Sequence, residues 1–285
     1  VQNPKGEVSV LKNTLYMLNT VSGLQAQSFI LTTVFGGVII IDGGTRADSE
    51  HMLCRLGEVT GLSRPHVDAW ILTHPHFDHA DCFLELMRAR RGDFTLDKVI
   101  CAFPSAQYLA SDPYGAADTV RAFYALLPFF ADKFFPVTAG DKLSVSGANL
   151  HFLYTPDWTI QQDKCNNSSL VVRIELAGRA LLFTGDCAAA AGERILSQWG
   201  ALGMLKADIC QISHHGQNGC TREFYQAVSP ETALWCTPEW LWNNDAGNGP
   251  GSGPWDTLTV RAWLADMGVK KNLVMKDGDQ QLSLP

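Results

Sequence analysis

Positive charge is scarce in this chain of 285 residues: 22 Lys and Arg stand against 29 Asp and Glu, for a formal net charge of −7. Affinity for a phosphate backbone comes chiefly from Lys and Arg, so no strong binding to long nucleic acid is expected. The compact basic run Arg88, Arg90 and Arg91 has the spacing of a solvated helix face. No apolar run approaches the about 18 to 20 residues of a membrane span, and the amino terminus lacks the charged-then-apolar pattern of a secretory leader. No membrane partner is expected. Cysteine pairing signals are missing too: the eight cysteines, at 54, 82, 101, 165, 187, 210, 220 and 236, include no C-x-x-C pair. They read as buried free thiols, which makes a reducing compartment, the cytoplasm, the expected location. The Gly-rich stretch 247–253 lacks the Lys-Ser/Thr of a P-loop, so nucleotide binding of that kind is not expected.

What remains is a chain with 46% hydrophobic residues, long enough to bury a large core. One domain over residues 1–285 is expected. Short apolar runs at 14–19, 27–33 and 37–42, separated by Gly and Ser, read as an antiparallel meander. Amphipathic patterns at 48–61 and 81–91 read as helices around a buried strand at 67–73. Residues 104–136, rich in Phe, Tyr, Ala and Leu, read as a helical, aromatic-rich insertion. Strands are expected again at 142–145, 149–155, 168–176, 179–184, 207–213, 232–237 and 272–276, with helices at 188–200, 221–228 and 257–267. The succession of strands, loop and helix occurs twice in outline, which predicts an α/β architecture of two sheets, each covered by helices.

The most informative stretch is His74-Pro75-His76-Phe77-Asp78-His79, three imidazoles and one carboxylate at the end of the strand at 67–73. Ligands gather at the carboxyl ends of strands in α/β proteins. Neutral imidazole suits zinc, iron, manganese and copper, and a carboxylate adds hardness, so the mixture points to a metal. Two further strands end in Thr184-Gly185-Asp186 and in His214-His215-Gly216. Imidazole-rich half-sites with a carboxylate able to bridge them are what a dinuclear hydrolase requires, and Asp186 is the natural bridge.

These words resemble the metallo-β-lactamase superfamily, whose H-x-H-x-D-H signature is met by His74, His76, Asp78 and His79. Within it, the chain is similar to the metallo-β-lactamase-like domain of competence DNA-channel proteins and their free-standing relatives. Ile41-Asp42-Gly43-Gly44, Asn166-Asn167-Ser168-Ser169-Leu170-Val171 and Leu182-Phe183-Thr184-Gly185-Asp186 carry that likeness. The resemblance implies a four-layer αββα sandwich of two mixed β-sheets flanked by helices. It implies His74 and His76 at a first metal, Asp78, His79 and His214 at a second, Asp186 between them, and Asp42 orienting a ligand imidazole. One or two zinc ions are the expected cofactor, with manganese or iron as alternatives.

Most superfamily members supply a third His to the first metal from the loop before Ser169. Here that loop reads Asp163-Lys164-Cys165-Asn166-Asn167, so Asn166 or Asp163 is the expected replacement ligand or substrate contact. His151 lies inside an expected strand. The implied activity is a metal-activated water attacking a phosphodiester-type substrate, small or nucleotide-like. Asp78 would orient the nucleophile or relay its proton, and His215 would either donate to the leaving group or serve as a hydrogen-bond partner. Hydrolysis of a lactone, thioester or β-lactam stays open, as does a non-catalytic metal sensor. A flavodiiron-type role would need a flavin-binding domain, which these residues do not announce, so that role is not expected. Nothing in the pattern specifies an oligomeric state.

Overall fold

A computed structural model describes residues 12–285. Two seven-stranded sheets face each other. The first runs in the order Gln280–Ser283, Thr14–Met17, Ser28–Thr32, Val38–Asp42, Ala69–Ile71, Val99–Cys101, Phe134–Pro136. The second runs Lys271–Val274, Thr232–Trp235, Ile209–Gln211, Arg179–Phe183, Val171–Leu176, Ala148–Tyr154, Lys142–Val145. Each is antiparallel on one side and parallel on the other: pairing turns parallel from Val38–Asp42 onward in the first sheet and from Arg179–Phe183 onward in the second. The expected four-layer sandwich of two mixed sheets is thus borne out.

The layers follow from the side-chain alternation of the strands. Ile39, Ile41, Phe29, Phe152, Phe183 and Leu234 fill the space between the sheets. Phe29 and Phe183 meet across it edge to face, centroids 5.1 Å apart. The opposite face of the first sheet, with Ile40 and Trp70, packs on helices Ser49–Thr60, Phe77–Glu85 and Ala116–Leu126. That of the second, with Leu182 and Cys210, packs on Ala189–Trp199, Arg222–Val228 and Thr257–Asp266. Among the described residues no helix is long and apolar enough to cross a membrane. All eight cysteines are free, and all but Cys54 are buried.

Three expectations change. The stretch at 104–136 holds a single α-helix, Ala116–Leu126; Pro128 tightens the next turn to 3-10, and Phe134–Pro136 becomes an edge strand, where a proline is tolerated. The helix expected at 81–91 begins at Phe77, because His76 takes the extended N-cap conformation without a side-chain cap. The polar run Gln280–Ser283, not expected as a strand, is recruited by antiparallel pairing with Thr14–Met17.

Candidate metal centre

The loops that close the parallel strands of both sheets meet at one end of the sandwich. In the first sheet, Asp42 closes its strand with φ 53°, and the first turn of helix Phe77–Glu85 is pinned beside it: Gly43 N–H donates to His79 O at 3.0 Å and Cys82 N–H to Gly44 O at 3.2 Å. In the second sheet, Asp186 N–H donates to Ser169 Oγ at 3.0 Å. Gly185 before it has φ 53°, and a Cβ there would lie 2.9 Å from Ser169 Oγ and 3.0 Å from Thr73 Cβ, so only glycine brings the two loops this close. A backbone bond from Leu170 N–H to Thr73 O, 2.8 Å, ties the sheets together at this point.

The tautomer of each imidazole is set by the partner on its far side. His79 Nδ1 lies 2.7 Å from Asp42 Oδ2 and donates to it. His215 Nδ1 donates to Cys236 O at 2.7 Å. His76 Nε2 donates to Asp112 Oδ2 at 3.1 Å. Thr73 Oγ1 gives its own proton to Asp42 at 2.7 Å and so accepts from His74 Nδ1 at 3.2 Å. Each ring therefore turns a lone pair inward: His74 Nε2 and His76 Nδ1 are 3.1 Å apart, and His79 Nε2 and His215 Nε2 are 3.3 Å apart. Two lone pairs pointed at each other repel unless a cation or a proton stands between them. Holding ligand imidazoles by their second nitrogen is how metal sites fix ring orientation.

Carboxylates complete the two groups. Asp186 Oδ1 is 3.2 Å from His79 Nε2, and its Oδ2 is 3.3 Å from His215 Nε2 and 3.8 Å from His74 Nε2. Asp78 Oδ2 is 3.3 Å from His215 Nε2. The donor atoms of Asp78, His79, Asp186 and His215 all lie within 4.8 Å of one another, and so do those of His74, His76 and Cys165. All seven residues are buried. The residues fit divalent cations in two adjacent positions.

Electrostatics agree with that fit. Burial pushes Asp186 up, but His215 and His79 outweigh it and hold the carboxyl well below its usual range. Burial and the neighbouring His79 keep His74 well below the ordinary imidazole value, hence neutral and able to donate a lone pair. Asp42, raised by burial and pulled back by His79 and Thr73, also accepts from Thr73 N–H at 2.7 Å and Gln27 Nε2 at 2.9 Å.

The expected second-position ligand was His214, with His215 as hydrogen-bond partner or donor; the structure gathers His215, not His214, with Asp78, His79 and Asp186. Both residues are left-handed, at φ 51° and 55°, and their rings leave the turn in different directions. His215 is fully buried among Asp78, His79 and Asp186, while the side chain of His214 is 17% exposed, its Nε2 3.4 Å from Asn166 Nδ2 and 3.9 Å from Asp186 Oδ2. Non-glycine residues held in this region cost about 1 to 3 kcal/mol each, strain typical of functional sites. Asp163, an expected replacement ligand, accepts from Asn166 Nδ2 at 3.1 Å, while Asn166 Oδ1 is buried without a partner. His151 lies away from the centre, 3.6 Å from Glu175. Sequence reading missed Asp112 and Cys165. Nothing local marks Asp112, which is 36 residues from the His76 it orients; Cys165 was legible only as one more buried thiol.

A four-layer αββα sandwich with an H-x-H-x-D-H turn and a shared Asp at the strand ends defines a protein of the metallo-β-lactamase fold. Residues 21–92 match the family model of the metallo-beta-lactamase superfamily. The sequence is similar to ComE operon protein 3 of Bacillus subtilis (strain 168), 28% identical over 216 residues. That match covers 70% of this chain and 25% of the relative, so the chain corresponds to about a quarter of that protein. Among solved structures, the metallo-beta-lactamase fold protein YhfI from Bacillus subtilis superposes with a TM-score of 0.57 at 14% identity, covering 95% of this chain and 100% of YhfI. CmlA, a diiron beta-hydroxylase from Streptomyces venezuelae, superposes with a TM-score of 0.56 at 13% identity, covering 96% of this chain and 54% of CmlA. At such identities the likeness is one of fold.

Proposed function

We propose that this protein is a metal-dependent hydrolase that cleaves a phosphodiester in a small or nucleotide-like substrate. The observation that carries the reading is the position of Asp186, whose carboxylate reaches His74 on one side and His79 and His215 on the other. When bound, paired divalent cations would supply Lewis acidity and a water acidified toward neutral pH, an arrangement suited to clamping the attacking and leaving oxygens of an in-line displacement. Zinc matches the imidazole donors best, with manganese or iron as alternatives.

The chain's own groups divide the remaining work. Asp78 is held below the usual carboxylate value because, although burial raises it, the hydrogen bond from His215 and the charge of His79 outweigh burial. It stays ionised and accepts a proton at Oδ2. His215 has both ring nitrogens engaged and is a ligand, not a proton donor to substrate. His214, at the partly exposed rim with Asn166, offers N–H groups to phosphoryl oxygens, and Lys164 stands in the same loop. Acidic rim residues would repel such a substrate; these donors attract it.

Metal-loaded protein assayed with bis-p-nitrophenyl phosphate, a lactone and a chromogenic cephalosporin tests the reading. Turnover of the phosphodiester is expected. Hydrolysis of the lactone or cephalosporin alone would reassign the substrate to a carbon-centred ester or amide. Metal uptake without any turnover would make the protein a sensor or binding module.

A further inference from the structure

We propose that the thiol of Cys165 is the third ligand of the first metal position, beside His74 and His76, so that this half of the centre takes a thiophilic cation such as zinc in preference to manganese. The inference rests on the metal-centre reading above and adds a ligand to it.

Cys165 Sγ lies within 4.8 Å of a ring nitrogen of each of His74 and His76, and all three residues are buried. The inward nitrogens, His74 Nε2 and His76 Nδ1, are lone-pair donors by the tautomer argument, facing each other at 3.1 Å. Between the two groups stands Asp186, only 2% exposed, whose Oδ2 is 3.8 Å from His74 Nε2 and whose Oδ1, 3.2 Å from His79 Nε2, lacks a hydrogen-bond partner. Asn166, next in the chain to Cys165, also keeps a buried Oδ1 without a partner. Unsatisfied buried oxygens cost free energy unless something binds them, and a cation would.

The ordinary alternative is a core thiol. Cys165 does pack against Leu109, Ala116 and Val120. Cys82 and Cys101 are equally buried core thiols, yet among the described residues neither falls in a group with His or carboxylate ligand atoms. Cys165 is held at the start of a 3-10 turn, where Ser168 N–H donates to its carbonyl at 3.0 Å, leaving the side chain free to face the imidazoles. Two imidazoles and one thiolate, with a carboxylate shared across the centre, make a four-donor set that suits zinc, while a hard cation such as manganese prefers oxygen. On binding, the S–H bond breaks, its proton passes to solvent, and a sulfur lone pair forms the bond to the cation.

X-ray absorption at the zinc edge of the zinc-loaded full chain reads the sulfur directly. The expected result is a sulfur shell at about 2.3 Å in addition to nitrogen and oxygen at about 2.0–2.2 Å. In the cobalt-substituted protein a near-ultraviolet thiolate-to-cobalt charge-transfer band is expected. It should vanish in Cys165→Ser and persist in Cys187→Ser, while one metal equivalent stays bound in Cys165→Ser. Metal binding with only nitrogen and oxygen neighbours overturns the Cys165 assignment and leaves the dinuclear reading intact. A charge-transfer band that survives Cys165→Ser also overturns it. Failure of the wild-type chain to take up either metal overturns both.

Discussion

The Nε2 atoms of His79 and His215 face each other at 3.3 Å, although the two residues are 136 positions apart and each ring's Nδ1 is already committed to another acceptor. Without a cation, protons take its place. Burial opposes charge on both rings, but Asp186 beside them outweighs it, with Asp42 helping at His79 and Asp78 at His215. His79 is held well above its ordinary value and His215 is pushed up to about 9. Because these values are raised, each ring carries a second proton, on Nε2, at neutral pH in the metal-free protein, and must give it up before that nitrogen can turn a lone pair to a cation. Zinc affinity should therefore climb as pH rises toward about 9, with protons released on uptake. Competition titration with a chromogenic chelator at several pH values checks this; a pH-independent affinity would contradict it.

Asp42 contributes through His79. Asp42→Asn keeps the shape but removes the charge that fixes the His79 tautomer, and the amide can present an N–H toward Nδ1. Metal affinity should fall about 10- to 100-fold, with the fold retained by circular dichroism. Unchanged affinity would mean that the 2.7 Å contact is only structural.

The two neighbouring histidines make a sharp comparison. His215→Ala should lose metal from the second position and abolish turnover. His214→Ala should keep its metal content and lose activity through a slower chemical step or weaker substrate binding. Metal analysis of the two purified variants decides, and equal metal loss in both would return His214 to the ligand set.

Stability depends on the same corner. Trp70 is fully buried, its Nε1 donates to Asp42 O at 2.9 Å, and its ring meets Phe83 edge to face at 5.2 Å. Trp70→Phe leaves that carbonyl without its donor and opens a cavity beneath the metal loop. A loss of about 2 to 4 kcal/mol is expected in urea unfolding at fixed metal concentration. A loss below about 0.5 kcal/mol would show that the site does not lean on this contact.

Much of this was legible in the chain because local pattern and local chemistry coincide. His74 to His79 lie within six residues, Gly185 is required where Asp186 turns, and the apolar strands announce themselves by period. Long-range choices were not legible. His214 and His215 are adjacent and chemically identical, and only their left-handed backbone sends one inward and the other to the rim. Asp112 is distinguished solely by the His76 it meets in space, and Gln280–Ser283 becomes a strand through main-chain pairing that its polar side chains do not advertise.

The central claim is that two metal positions share the Asp186 carboxylate. Anomalous diffraction from zinc-soaked crystals tests it most directly. Two peaks about 3.5–4 Å apart are predicted, one against His74 and His76, the other against Asp78, His79 and His215, with Asp186 between them. No peak there, or ions bound only elsewhere on the protein, would contradict it.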